Sequence, residues 1–388
     1  MGRNRKHTIL IACLALLLGA VTAEAEVDST LRPLNPQSMG QGGCPVASAE
    51  GFDALLFNPA SFASPDGSFT YYASSFWLHA DPLGALLAVL DSGSSSFDNF
   101  VDEQIPSGGF GFGSADGIGY VGRGIAAAVL MNIDAYLWGP LGSAAGDLIF
   151  TLSFISGFAY PFQLKDATLT LGFDIRPMIR IQAPINEAVM QDFLDSLSSS
   201  ANPLATLNGQ PALYGLAVAV DFGMIVDWGT VRWGLSVRDF LGTRFQYKQD
   251  PFGDVLVSLR DSGGFPTGGT AVDNYVVPMD ISTGFAYNFL RGRSKTVSDF
   301  VVHWAVCDVI TTAMEQKAPT AMLHAGAQLE LFNRLALRAG FNQGYLTFGL
   351  GVKLWVLDLN MAYFTREMGT LTASRASPGF TLEAAIRR

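Results

Sequence analysis

Long segments of alternating apolar and polar residues run through most of this chain. In residues 167–182, one face carries Leu169, Leu171, Phe173, Ile175, Ile179 and Ile181, and the other carries Thr168, Thr170, Asp174, Arg176 and Arg180. Successive side chains of a β-strand point to opposite sides, so this strand would have one apolar and one polar face. About 9 to 11 residues cross a membrane, whereas strands of globular proteins average about 5 to 6. The length therefore predicts membrane-spanning strands.

The same pattern delimits fourteen predicted strands: 68–79, 115–122, 124–137, 147–161, 167–182, 212–227, 230–241, 279–289, 298–310, 319–332, 334–342, 345–353, 355–365 and 377–387. An even number is expected for a single-chain bacterial barrel. The links alternate, because tight turns fall on one side and the longer links 80–114, 183–211 and 242–278 fall on the other. We therefore predict an all-β protein, a closed antiparallel transmembrane barrel of about fourteen strands over residues 68–388.

Tryptophans are spaced as in membrane barrels. Trp77, Trp138, Trp228, Trp233 and Trp355 fall near predicted strand ends. Interfacial aromatic residues occupy such positions in membrane proteins. Ordinary core tryptophans would be spaced in the same way, so the positions alone leave both interpretations open.

Composition favours a chain that faces lipid. Only 15% of the residues are charged and the mean hydropathy is +0.28, whereas soluble proteins average about 25% charged residues. A membrane helix needs about 20 consecutive apolar residues. The best candidate after the first 25 residues, 148–164, is interrupted by Thr151, Ser153, Gly157 and Pro161. The formal net charge of −10 argues against nucleic acid as a partner.

Residues 1–25 have the composition of a cleaved export signal. Basic Arg3, Arg5 and Lys6 precede an apolar run over 9–21, and residues 23–25 fit a small-x-small cleavage site. A lipoprotein signal ending at Cys13 is the alternative, but most of the apolar run follows that cysteine. We therefore expect export to the bacterial outer membrane, with the assembly machinery of that membrane as a partner.

Residues 26–67 are too short for a domain and too rich in small residues for a helix bundle, so they are predicted to fill the barrel as a plug. Fourteen strands enclose a lumen wider than side chains alone can fill. The predicted gating positions are Gly40, Gly42 and Gly43, which permit close backbone approach, and the turn-forming Asn58, Pro59 and Ala60. Cys44 and Cys307 remain after signal cleavage, and either a disulfide or two buried thiols is consistent with the sequence.

Charged residues on the polar faces would line the lumen. The predicted network comprises Asp174, Arg176, Arg180, Arg232, Arg238, Glu330 and Arg338. Both signs occur, which favours structural pairing with each other or with the plug over a filter for one sign of charge.

The links also carry apolar residues at helical spacing. Residues 186–196 predict a helix with Val189, Met190, Phe193, Leu194 and Leu197 on one stripe. A second short helix is predicted over 83–90. These stripes either pack against each other or form a groove that captures a hydrophobic ligand.

The amino-terminal motifs resemble those of the FadL/PorV-like outer-membrane family. The resemblance lies in Met39-Gly40-Gln41-Gly42-Gly43, Ala54 and Asn58-Pro59-Ala60, and in the strand phrases over 234–238 and 337–341. Cys44 departs from the small residue usual there, and the chain ends in Arg387-Arg388 rather than an aromatic residue. The resemblance implies a fourteen-stranded barrel with a hatch and passive uptake of long-chain fatty acids or other hydrophobic molecules. A PorV-like anchor or shuttle for secreted proteins is the alternative.

The sequence gives little support to catalysis. The only histidines after the signal are His79, His303 and His324, and no GxSxG, HExxH or phosphate-binding loop motif occurs. We expect no enzyme activity, no metal site and no cofactor. Membrane lipids and a fatty acid-like ligand are the expected partners. A general solute porin is disfavoured by the plug.

Overall fold

The computed structural model describes residues 30–388 except 32–33, 83, 85–86, 88–93, 141, 199–202, 273 and 291–295. The predicted signal peptide lies outside the described residues. The described strands are β1 Ser68–His79, β2 Phe110–Gly122, β3 Ile125–Trp138, β4 Ala145–Gln163, β5 Thr168–Asn186, β6 Pro211–Asp227, β7 Val231–Arg238, β8 Thr243–Pro251, β9 Thr270–Ala271, β10 Tyr275–Val277, β11 Asp280–Asn288, β12 Val297–Val306, β13 Leu323–Leu331, β14 Leu335–Asn342, β15 Tyr345–Leu354, β16 Leu357–Glu367 and β17 Ala376–Arg387.

These segments form one closed antiparallel barrel of fourteen strands. β7 and β8 are two halves of one strand, because both pair with β6. β9, β10 and β11 together form the next strand, which pairs with β8 and β7. The barrel closes where β1 pairs with β17 from Thr70 opposite Arg387 to His79 opposite Gly379. Every strand therefore has two neighbours, and the barrel prediction is confirmed.

The described part of the barrel wall has a local break between β7 and β8. Asp239 and Leu241 adopt positive φ angles of 51° and 64°, a conformation that costs energy for a residue with a side chain. The β6 residues 217–221 lie between the stretch paired with β8 and the stretch paired with β7. A single backbone bond, from Phe240 N to Val220 O at 2.8 Å, bridges this stretch.

The two ends of the barrel differ in their links. Short turns join β2 to β3, β4 to β5, β6 to β7, β13 to β14 and β15 to β16 at one end, which we call the turn end. Apart from the two-residue link between β14 and β15, longer links occupy the opposite loop end. They contain α3 Ser94–Ser107, α4 Glu187–Ser198, α5 Phe252–Ser262 and α6 Val309–Met314, with 3-10 helices Pro203–Leu207 and Pro319–Met322. Before β1 lie α1 Pro36–Gly40, α2 Ala54–Phe57 and 3-10 helices Gly51–Asp53 and Pro59–Ala63.

The outer face of the barrel is apolar. Large exposed hydrophobic residues occur on almost every strand, among them Phe76, Phe154, Phe158, Tyr160, Val218, Trp304, Leu346, Phe348, Met361 and Leu382. So extensive an apolar surface is unfavourable in water, whereas a closed barrel satisfies its backbone hydrogen bonds inside lipid. The barrel is therefore built to span a membrane. Among the described residues, no helix is long and apolar enough to do so.

Several details differ from the sequence prediction. For Trp77, the structure decides between the two interpretations left open: the residue is fully buried in the lumen and donates from Nε1 to Asp134 Oδ1 at 2.9 Å. Residues 307–310 leave the strand at Asp308, whose φ of 52° starts α6. The predicted loop 242–278 contains β8, α5, β9 and β10, because strand pairing resumes after the break, beyond residue 242. Part of the predicted helix 83–90 lies outside the described residues.

Candidate functional site

The segment that precedes β1 contacts the polar inner face of the barrel. On one wall, Gly40, Gln41 and Gly42 pack backbone to backbone against glycines of three consecutive strands, β13, β14 and β15: Gly326, Gly340 and Gly349. A Cβ atom added to Gly40 would lie 2.7 Å from the Cα of Gly349. Gly42 has a φ of +88°, and a Cβ there would overlap the carbonyl oxygen of Ala325. Gly40 and Gly42 on one side, and Gly326, Gly340 and Gly349 on the other, therefore leave no room for a Cβ atom.

On the opposite wall, the Asn58-Pro59-Ala60 turn packs against Gly172 of β5 and Gly223 of β6. Asn58 is fully buried, and its Oδ1 accepts from Ala60 N at 3.0 Å while its Nδ2 donates to Val46 O at 2.9 Å. The side chain therefore caps the following 3-10 helix and ties it to the Val46 loop. A Cβ on Gly223 would overlap the Asn58 side chain.

A disulfide fixes the segment between these two contacts. Cys44 is bonded to Cys307, which directly follows β12, with 6.7 Å between the Cα atoms. Both residues are buried. Of the two alternatives that the sequence left open, the structure has the disulfide. The segment is thus joined to the wall by a covalent bond at residue 44 and by the chain itself at β1.

One predicted charge cluster lies near the strand break. Arg176 is fully buried; its Nη1 donates to Asp221 Oδ2 at 2.8 Å and its Nη2 to Thr30 Oγ1 at 2.7 Å. Thr30 also donates to both carboxylate oxygens of Asp239, at 2.9 and 2.8 Å. Asp174 is buried in the same group. The beginning of the described chain is therefore held at the wall by side-chain hydrogen bonds.

The other predicted network residues each contact separate partners and do not contact one another. Arg232 contacts Glu50 and Asp227, and Arg238 donates to Leu56 O at 3.1 Å, so both join the wall to the amino-terminal segment. The remaining contacts are Arg180 with Thr151 and the Phe245 ring, Glu330 with Lys353, and Arg338 with Gln328 and Asn360. Mixed pairing of this kind gives the lumen no field of a single sign.

Asp53 is a buried carboxylic acid that the sequence did not single out. Asn35 Nδ2 donates to its Oδ1 at 2.5 Å. Burial, reinforced by the nearby Glu383, raises the pKa of Asp53 from 3.8 to about 7, although Arg387 and Arg338 oppose the shift. The acid is therefore neutral in the seated segment under mildly acidic conditions.

We expect seating of this segment to weaken as the pH rises. Between pH 3.8 and about pH 7, Asp53 holds a proton in the seated segment but not in a solvated one. Raising the pH through this range therefore favours release of the segment, by a free energy of about 4 kcal/mol at most. Hydrogen exchange at residues 51–57, corrected for intrinsic rates, should be faster at pH 8 than at pH 5.5. Asp53→Asn should remove that difference, and an equal pH response in both proteins would contradict this assignment.

The loop-end helices pack into a hydrophobic cluster with the ends of β2 to β6. The predicted helix is present as α4, in which Val189 and Met190 are buried against Leu148, Ile185 and Leu207. The side chains of Phe193, Leu194 and Leu197 lie outside the described part of the structure. The stripe residues whose side chains are described, Val189 and Met190, are therefore covered by packing against other parts of the loop end.

Three cavities adjoin the amino-terminal segment. A polar cavity of about 150 Å³ opens beside α6 at the loop end, an apolar one of about 60 Å³ lies against β1 to β4, and a polar one of about 250 Å³ occupies the turn end. In the described residues, no three metal-ligating side chains are close enough together to hold an ion.

Comparisons with known proteins identify the fold. No family model and no curated protein sequence matches the chain. The monoaromatic hydrocarbon channel CymD superposes with a TM-score of 0.50 and 11% identity over 91% of this chain and 97% of that one. The toluene transporter TodX of Pseudomonas putida gives 0.47 and 11%, covering 94% and 99%. A FadL homologue from Pseudomonas aeruginosa gives 0.44 and 10%, covering 92% and 98%. The chain has the fold of FadL-type outer-membrane barrels.

Proposed function

We propose that this protein is an outer-membrane channel for passive uptake of long-chain fatty acids or similar hydrophobic molecules, gated by residues 26–67 as a hatch. The observation that carries the proposal is a lipid-facing barrel whose lumen is filled by a docked segment with a cavity at each end. A general solute pore would require an open, water-filled lumen, which the contacts of residues 40–60 obstruct.

The orientation follows from the links. In bacterial outer-membrane barrels the short turns face the periplasm and the longer loops face outward, so the loop end would be extracellular. The turn-end cavity would then open to the periplasm. The similar solved structures include the monoaromatic hydrocarbon channel CymD, which supports a hydrophobic cargo. No energy source is needed if the molecule moves down its gradient.

Binding of a fluorescent fatty acid by purified protein tests the proposal. Replacing Phe193 and Leu194 by Asp should weaken capture about a hundredfold or more, since each loses about 1.5–3 kcal/mol of apolar burial if it covers a bound tail. Val257→Asp, an exposed apolar position on α5, is the matched control and should bind normally. Unchanged binding by the double variant would remove the loop-capture role.

The PorV-like alternative makes a different prediction. A shuttle for secreted proteins would co-purify with secretion partners and would not bind the lipid probe. That combination of results would replace the transport proposal.

A further inference from the structure

We propose that the outer face of β17, β1 and β2 is the interface between two copies of this barrel. On this face the apolar wall carries a polar patch, which consists of Tyr72, Ser74, Ser114 and Asp116. The inference goes beyond the proposed function, because each barrel of the pair would keep its own lumen and hatch.

The side chain of Asp116 points away from the lumen. Asp116 lies opposite Ser74 of β1 in the strand ladder, so the two side chains share one face of the sheet. The next residues along each strand face inward, because Ser75 is buried and a Cβ on Gly117 would meet the hatch residue Phe52. Side chains alternate along a strand, so Ser74 and Asp116 face the membrane.

Asp116 lies near the middle of the membrane. It is the seventh of the thirteen residues of β2, which ends with Gly122 at the turn end. Six residues of a strand extend about 20 Å, and the usual tilt of about 35–45° reduces this to about 15 Å along the barrel axis. The apolar band of such barrels is about 25 Å tall. Water and lipid head groups therefore do not reach the Asp116 carboxyl group.

The patch has hydrogen-bonding groups that the single barrel does not use. Tyr72 Oη donates to Asp116 Oδ1. Within the described part of the chain, Asp116 Oδ2 accepts no hydrogen bond and the Ser114 hydroxyl makes none. A polar group without a partner is costly in hydrocarbon. The patch therefore requires cover by a surface that supplies both donors and acceptors.

A second copy of the chain supplies such a surface. The patch contains an unused acceptor on Asp116 and an unused donor on Ser114, so it is complementary to itself. A two-fold axis along the membrane normal would place each Ser114 near the Asp116 of the other copy, which is the reciprocal pairing of an isologous interface. Ser74 and Ala384 are small and lie opposite each other in the ladder of β1 and β17, which lets two walls approach closely.

Counting photobleaching steps of single fluorescent spots tests the association. The protein would be labelled at Gly268→Cys, an open position at the loop end, and diluted into phosphatidylcholine vesicles. The native cysteines are disulfide-bonded and do not take the label. Spots should bleach in two steps. Asp116→Leu should lower the association constant at least tenfold and give single steps.

The control for this experiment is Ser156→Leu. Ser156 is an exposed serine opposite the outward-facing Ile175, on a different part of the wall, so its replacement should leave the two steps unchanged. Leucine suits a lipid-facing position, so both variants should fold, and heat-modifiable electrophoretic mobility checks this.

Distances between spin labels locate the interface. Ile118→Cys is exposed two residues from Asp116 on the same strand face, whereas Trp304→Cys is exposed on β12, across the barrel. Double electron–electron resonance should give a short distance between copies labelled at Ile118→Cys, and no short distance between copies labelled at Trp304→Cys.

The outcomes decide the proposal without reference to cargo. Single bleaching steps in the protein without substitutions in the patch would overturn it, as would unchanged association of Asp116→Leu. A short distance for Trp304→Cys in place of Ile118→Cys would place the contact elsewhere and overturn the assignment of this face. Uptake of fatty acid by a protein that does not associate would leave the proposed function intact.

Discussion

Replacing Gly223 by valine is expected to displace the hatch while leaving the barrel closed. The new side chain would occupy the position of the Asn58 side chain and approach Ala60 N. Valine itself suits a β-strand, so the cost falls on the docked turn and not on β6. Overpacking of this kind typically costs about 1–3 kcal/mol, and each 1.4 kcal/mol is a tenfold change in an equilibrium. The released fraction of the hatch should rise about tenfold or more.

Hydrogen exchange at residues 54–63 measures this displacement. The rate should rise tenfold or more in Gly223→Val, while electrophoresis of unheated protein still shows a folded barrel. Gly268→Val is the matched control, because nothing lies within 4 Å of a Cβ at that position. Protection that matches the unsubstituted protein would contradict the assignment of Asn58-Pro59-Ala60 as a docking element.

Loss of the disulfide should give the largest change in stability. The bond joins residues 263 positions apart, and closing a loop of that length in the unfolded chain corresponds to about 5 kcal/mol in the chain-entropy model. Measured effects are commonly smaller, at about 2–4 kcal/mol. We expect Cys44→Ser with Cys307→Ser to unfold at a clearly lower urea concentration in detergent.

Reduction provides the control for that experiment. The unsubstituted protein in dithiothreitol should approach the midpoint of the double variant, and the double variant should not respond to the reductant. An unchanged midpoint in the double variant would show that the glycine contacts alone hold the hatch. The same double variant should keep its barrel, since no ladder pair involves either cysteine.

The barrel was predictable because its wall repeats one simple rule. Alternation delimited β1, β14 and β15 almost to the residue, and α4 followed from the helical spacing of apolar residues in the predicted link 183–211. The break between β7 and β8 was not predictable, because leucine, the residue type at position 241, adopts positive φ only where surrounding contacts enforce it.

The site was predictable only in part. The glycines Gly40 and Gly42 and the Asn58 turn stood out as motifs in the sequence. All three pack tightly against the barrel wall. Their partners Gly172, Gly223 and Gly340 were visible as glycines on polar strand faces, which is the signal that would have identified docking positions. Asp53, Thr30 and Asp239 could not be found, because their pairing depends on how a non-repeating segment folds inside the cylinder. The place of Trp77 stayed open, because its position near a strand end does not reveal whether its side chain faces lipid or the lumen.

Uptake of radiolabelled oleate by cells that carry or lack this protein tests the central claim most directly. We predict faster uptake with the protein, persisting when the membrane is de-energised. Equal uptake by both kinds of cell, with the folded barrel present in the outer membrane, would contradict it.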